Sequence, residues 1–114
     1  MRDKPSCTVE HRADARIVHV CGDIDLSSAN LVREALLDVL ASFPDAHLVI
    51  DLGDVRFIDS TGVGVLVGAH RRAIKSDGRV TVVVTAPQVH RVLETTGLLQ
   101  TLRITGSVEE ALEA

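Results

Sequence analysis

Residues 47–75 read HLVIDLGDVRFIDSTGVGVLVGAHRRAIK, and the fold turns on how this run divides. HLVIDL (47–52) is a short apolar run of strand type. Gly53-Asp54 breaks it, and FIDSTG (57–62) reads as a turn in which a serine stands between an aspartate and a threonine. Beyond the turn, VGVLVGAHRRAIK (63–75) is ambiguous by periodicity, because valine and glycine both disfavour helix. The termini decide for helix. Ser60 or Asp59 is a good N-cap, while His70, Arg71, Arg72 and Lys75 place positive charge at the C-terminal end, where the helix dipole favours it. Gly64 and Gly68 fall about one turn apart, which predicts a helix packed very close to a sheet.

Upstream, CTVEHR (7–12) and ARIVHVCG (15–22) are strand-like runs separated by Ala13-Asp14, which predicts a hairpin. Val9, Val18 and Val20 fall on one face, the alternation of a half-buried ribbon. GDIDLSSAN (22–30) is a turn cluster ending in capping residues, and Val32, Ala35, Leu36, Val39 and Leu40 recur at helical spacing from Ser28 to about Ala41. Pro44 ends that helix. Downstream, RVTVVVTA (79–86) is a strand, and Pro87 opens a helix, PQVHRVLETTG (87–97), that stops at Gly97. Residues 99–104 fit a short edge strand. SVEEALEA (107–114) is a capped helix with Glu109 and Glu110 in its first turn. This order predicts a single α/β domain over 1–114, a mixed sheet of four to five strands with an N-terminal hairpin, covered by about four helices.

At 114 residues the chain suits one domain with its own core. That core must be aliphatic, since there are two Phe and no Trp or Tyr. The same scarcity removes the stacking platforms of single-stranded nucleic-acid binders. Twelve Lys and Arg against sixteen Asp and Glu leave a formal charge of −4, which repels phosphate backbones, so nucleic acid is not an expected partner. Arg71, Arg72 and Lys75 are the only local basic cluster. No stretch approaches the ~20 apolar residues that cross a bilayer, and MRDKPSCTVEHR (1–12) lacks an apolar signal core, so no membrane association and a cytoplasmic location are expected. Cys7 and Cys21 form no metal motif; a hairpin would bring them close, and a cytosolic chain would keep them reduced.

Ser60 does not read as a hydrolase nucleophile. The elbow pattern G-x-S-x-G fails at Ile58, and the histidines at 11, 19, 47, 70 and 90 are scattered over different elements. GVGVLVG (62–68) lacks the lysine of a phosphate-cradling loop. Asp23, Asp25, Asp51 and Asp59 read as turn and capping acids, with no calcium-loop pattern, so neither metal nor cofactor is expected. A receiver-like phosphoacceptor would use Asp51, at the end of LVIDL, with Thr85 as its hydroxyl. The acidic pair and the Lys-Pro of that class are missing, and the hairpin fits it badly. Taken from the residues alone, Ser60 is an N-cap, and an exposed serine at a helix start is also a good phosphoacceptor.

VIDLGDVRFIDSTGVGVLVGAHRRA (49–73) closely resembles the signature of the STAS-domain anti-sigma factor antagonists, and VHVCGDIDLSSANLVREAL (18–36) resembles the family's strand, acidic turn and first helix. The resemblance implies a binding switch and not an enzyme. Ser60 would be phosphorylated by a partner that is both anti-sigma factor and serine kinase. The unphosphorylated chain would bind that kinase and release a sigma factor for transcription; phosphorylation would break the complex, and a PP2C-type phosphatase would reset it. By the same matching, Asp23 would help kinase docking or phosphorylation, Asp59 and Thr61 would border the acceptor, and Gly62 and Gly64 would shape the turn; Asp23, Asp25, Asp59, Ser60, Thr61, Gly62 and Gly64 would form the partner-binding surface. A non-switching STAS scaffold or transport-accessory subunit is the alternative within the fold.

Overall fold

The computed structural model describes residues 4–113; the first three residues of MRDKPSCTVEHR and Ala114 of the last helix lie outside the described residues. The elements are β1 (Ser6–Arg12), β2 (Ala15–Cys21), α1 (Ala29–Ser42), β3 (His47–Asp54), α2 (Ser60–Lys75), β4 (Arg79–Val84), α3 (Pro87–Thr95), β5 (Arg103–Thr105) and α4 (Val108–Glu113). They form one five-stranded sheet in the order β1-β2-β3-β4-β5. β1 pairs with β2 antiparallel, and every later pair is parallel. The sheet is therefore mixed, opens with the expected hairpin, and is covered by four helices.

Strand order that follows chain order fixes where the helices lie. Right-handed crossovers that always step in one direction put α1, α2 and α3 on the same face. Val18, Leu48, Ile50, Val82 and their neighbours on that face form one cluster with Leu36 and Leu40 of α1, Leu66 and Ala69 of α2, and Val89 and Leu93 of α3. The chain then returns beneath the sheet, where α4 sets Ala111 against Ile17, Val49 and Val83. Parallel strands covered on both faces read as continuous apolar runs, which is why LVI and VTVVV show no alternation.

Several expectations change. β2 is an interior strand, so Ile17 is as buried as Val18, and the half-buried alternation does not hold. Val9 pairs with Val18 on the expected face, yet lies on the edge strand and stays 46% exposed. Cys21 pairs with Ser6 and Cys7 with Val20, so the two thiols point to opposite faces and remain free. The edge strand over 99–104 shrinks to Arg103–Thr105, because Gln100, Thr101 and Leu102 form turns hydrogen-bonded to Gly97 and Leu98.

The glycines of α2 also change roles. The helix buries Gly62, Val65, Leu66, Ala69 and Ala73, so Gly64 and Gly68 fall on its outer face. A β-carbon on either would meet nothing within 4 Å. They border a groove of about 200 Å³ between α2 and Arg33, Leu36 and Leu37 of α1. Gly62 is the one that packs closely: a β-carbon there would stand 2.5 Å from Ile58 Cγ1 and 2.8 Å from Ile24 Cγ2.

α4 has only six residues and leaves part of the lower face open. There His19 bridges three strands, with Nε2 2.8 Å from Glu10 Oε1 on β1 and Nδ1 2.7 Å from Asp51 Oδ2 on β3. Both partners are carboxylates, so both ring nitrogens donate and the imidazolium is favoured. The Glu10 hydrogen bond, with a smaller contribution from Asp51, raises the His19 pKa against the opposing effect of burial. Glu10 is pulled below its ordinary range by His19 first and Arg12 next.

Two predictions follow from this packing. Gly64→Ala and Gly68→Ala should each stabilise the fold by ~0.5–1 kcal/mol in urea unfolding, because both positions are helical and open. Gly62→Ala should cost ~1–3 kcal/mol through overpacking; a neutral result there would contradict the close contact. The pH dependence has a defined sign. A histidine whose folded pKa is raised contributes fully below its unfolded pKa of ~6.5 and loses that contribution as pH rises through the folded value. The urea midpoint should therefore fall above pH ~6.5 in the native chain, and that fall should be smaller in His19→Gln.

Candidate functional site

The C-terminal ends of β2 and β3 are tied together before α2 begins. Gly22, at φ +93°, turns the chain out of β2, a backbone angle that glycine adopts without a steric penalty. Ile24 then pairs with Ile58 in an isolated parallel bridge, its N–H donating to Phe57 O at 3.0 Å while its carbonyl accepts from Asp59 N at 3.1 Å. Gln88, near the start of α3, completes the clamp: Ile58 N donates to its Oε1 at 3.0 Å, and its Nε2 donates to Ile58 O at 3.1 Å. The side-chain amide thus serves Ile58 as a strand partner would. Ile24 and Ile58, both fully buried, form the surface on which Gly62 sits.

Asp59, and not Ser60, caps the helix. Its backbone is extended, at φ −112° and ψ −171°, and its Oδ1 accepts from Thr61 N at 2.9 Å and Gly62 N at 3.2 Å. The Thr61 hydroxyl donates to the same oxygen. That hydroxyl, followed by the two backbone amides, holds the Asp59 carboxyl below its ordinary pKa against desolvation and the nearby charge of Asp25. The aspartate can cap because it lies one residue outside the helical backbone. Ser60 is thereby displaced to the first helical position, where it is exposed and its hydroxyl makes no hydrogen bond among the described residues.

The preceding loop is organised by an acid as well. Asp25 Oδ1 accepts from Ser27 N at 3.0 Å and Ser28 N at 3.2 Å, and the Ser28 hydroxyl donates to Asp23 O at 2.7 Å. Ser28 occupies the N-cap position of α1 without capping it through its side chain. The fold therefore gathers Asp59, Ser60, Thr61 and Gly62 at one helix start, and places Asp23 and Asp25 in the loop bridged to it through Ile24. Gly64 lies one turn further along, on the outer face of α2.

Three residues of this region carry no reading from sequence. Gln88 looked like an ordinary polar helix residue. Leu26 and Phe57 are exposed at 79% and 42%, one in each of the two bridged loops. Their signal was present, as lone large apolar residues within the polar runs GDIDLSS and DVRFIDS, but turn chemistry dominated both stretches.

Other chemistry is not assembled here. None of the five histidines is hydrogen-bonded to Ser60 among the described residues; His19 serves Glu10 and Asp51, and His47 Nε2 lies 2.7 Å from Thr81 Oγ1. Among the described residues no group of three or more His, Cys, Asp or Glu is placed to hold a metal, and no helix is long and apolar enough to cross a membrane. Asp51 is engaged by His19 and by Gly53 N at 2.9 Å, and the Thr85 hydroxyl donates to Gly53 O at 2.9 Å. The strand order, opening with an antiparallel edge, is not the 2-1-3-4-5 order of receivers.

Comparison with known proteins agrees with this architecture. Residues 6–111 match the STAS domain. The chain is 29% identical over 104 residues to the anti-sigma F factor antagonist of Paenibacillus polymyxa, covering 91% of this chain and 89% of that protein. It is 31% identical over 110 residues to the anti-sigma-F factor antagonist RsfB of Mycobacterium tuberculosis, covering 96% and 88%. The crystal structure of an anti-sigma factor antagonist from Mycobacterium paratuberculosis superposes with a TM-score of 0.88 at 31% identity, covering 96% of this chain and 92% of that one. With this match in sequence and in fold, the chain belongs to the STAS-domain anti-sigma factor antagonists.

Proposed function

We propose that this protein is a phosphorylation-controlled antagonist of an anti-sigma factor. Unphosphorylated, it binds an anti-sigma factor that is also a serine kinase, and so releases a sigma factor. Phosphorylation of Ser60 dissociates the complex, and a PP2C-type phosphatase restores the binding form. Its role is binding, not catalysis, and its site of action is the cytoplasm.

The proposal rests on Ser60 itself, an exposed hydroxyl without a partner among the described residues, flanked by backbone groups of Ile58, Asp59, Thr61 and Gly62 that are hydrogen-bonded. A kinase needs an accessible and still acceptor, and this serine is both. Leu26 and Phe57 offer apolar anchors beside it, and the groove along Gly64 and Gly68 continues from Ser60 down the same face of α2. Asp23, Asp25, Asp54 and Asp59 belong to this end of the sheet, so a complementary partner surface is cationic.

The cap explains why phosphate would break the contact without unfolding the domain. The amides of Thr61 and Gly62 already serve Asp59, so a phosphate on Ser60 finds neither free. It adds about −1.5 to −2 charges beside an ionised carboxylate. In solvent that repulsion is screened. Across a fitted interface, like-charge contact and desolvation cost ~3 kcal/mol, about a hundredfold in affinity.

Ser60→Ala should keep the complex with the kinase and resist release by ATP, whereas Ser60→Asp should weaken it ~100-fold, with thermal midpoints unchanged in both. ATP-dependent release of Ser60→Ala at the wild-type rate would refute the switch, and is also what separates it from a non-switching scaffold or transport accessory. Leu26→Asp should lower affinity by ~tenfold or more while changing stability by less than ~0.5 kcal/mol; undiminished binding would remove Leu26 from the interface.

A further inference from the structure

The end of the sheet opposite Ser60 is cationic. α2 ends at Lys75, and β4 and β5 begin at Arg79 and Arg103, so Arg71, Arg72 and Lys75 share this pole with both arginines, all of them exposed. Acids share the pole as well: Asp77 in the turn between α2 and β4, and Asp14 and Asp45, which precede β2 and β3. Ordinary roles explain some of this charge. Lys75 and Arg72 complement the C-terminus of α2, and cations at a sheet edge discourage pairing with other chains.

Those roles do not explain the concavity. β5 begins with Arg103 opposite Thr81, so no strand lies beside Arg79 and Val80 on that side of β4. A cavity of about 170 Å³ opens there, lined by His70 and Ile74 of α2, Arg79, Val80 and Thr81 of β4, Thr101 of the preceding turn and Arg103 of β5. Neither arginine has an ion pair among the described residues. Both bear on a common region: burial pushes the His47 imidazole down, and the Arg79 and Arg103 charges push it further, against Asp14. His70 Nδ1 is buried and has no hydrogen-bond partner among the described residues. A buried ring nitrogen left in that state is destabilising, and a polar occupant would offset that cost.

We propose that this cleft binds a phosphate group through Arg79, Arg103, Thr101 and His70. Two guanidinium forks suit the tetrahedral oxygens of phosphate better than a lysine point charge, and the threonine hydroxyl adds a neutral donor. The cavity is smaller than the ~300–1,000 Å³ of ordinary small-molecule pockets. A whole nucleotide does not fit inside it, but inorganic phosphate does, as does the phosphate end of a larger molecule whose remainder stays outside. The Thr81 hydroxyl already pairs with His47 Nε2, so it belongs to the wall and not to the binding set.

The test is an amide NMR titration of the full chain with inorganic phosphate, at ionic strength held constant with sodium chloride. Saturable shifts confined to residues 79–81, 101–103 and His70 are expected, with Arg79→Gln or Arg103→Gln each weakening binding ~tenfold or more. Arg72→Gln, outside the cleft, should leave the affinity unchanged. Both substituted arginines are exposed, so unchanged thermal midpoints will confirm that the variants fold. Co-sedimentation with phosphatidylcholine vesicles containing phosphatidylglycerol distinguishes the source of the phosphate. Pelleting that requires Arg103 assigns a lipid headgroup, and phosphate shifts without pelleting assign a soluble anion. Shifts that fail to saturate and follow every surface cation, or binding indifferent to both arginines, would overturn the proposal.

Discussion

The carboxylate of Asp59 is the constraint on which the functional end of this molecule depends. One oxygen receives the amides of Thr61 and Gly62 and the hydroxyl of Thr61, which satisfies two of the open backbone donors of the first turn of α2. That cap sets the start of the helix, puts Ser60 at its first position, and leaves the serine hydroxyl outward. It works only because Asp59 is itself held, through its N–H to Ile24 O, to the loop that leaves β2. Gln88 and the contact of Gly62 with Ile24 and Ile58 fix the same point from α3 and from below. Three separate elements therefore converge on one exposed hydroxyl.

The rest of the architecture explains how such a site is afforded so small a domain. Crossovers that step one way along the sheet leave three helices on one face and the ends of the parallel strands aligned. Asp23, Asp25, Asp54 and Asp59 lie where the strands finish, and Arg79 and Arg103 lie where β4 and β5 start. Of the two phenylalanines only Phe43 packs against the aliphatic core, while Phe57 is exposed in the loop before Ser60. On the open lower face, Glu10, His19 and Asp51 link three strands by charge where α4 is too short to cover them. None of the supports of the Ser60 end passes through the Ser60 side chain.

Much of this was legible in the sequence. HLVIDL, RVTVVV and the capped helices have strong local signals, and the hairpin followed by alternating strands and helices fixes a mixed sheet. What failed depended on tertiary detail. Asp59 and Ser60 are both good capping residues, and only the extended backbone of Asp59 decides between them. Valines at 63, 65 and 67 obscure the helical phase of α2, so the sequence suggests the sheet side for Gly64 and Gly68 although both are exposed. Gln88 clamps Ile58 from 30 residues away, and no local pattern announces it. The pairing of His19 with Glu10 and Asp51 is set by strand register across β1, β2 and β3, which sequence alternation leaves open. The motif marked Ser60; the platform that holds it came from long-range contacts.

The central claim is that Ser60 is where this protein carries its signal. Phosphopeptide mapping of the chain purified from its own cells, without acid or heat, tests that most directly. The account predicts one acid-stable phosphate, on Ser60, in part of the population. An acid-labile phosphate on Asp51, a stable phosphate elsewhere with Ser60 bare, or no phosphate under any growth condition would contradict it.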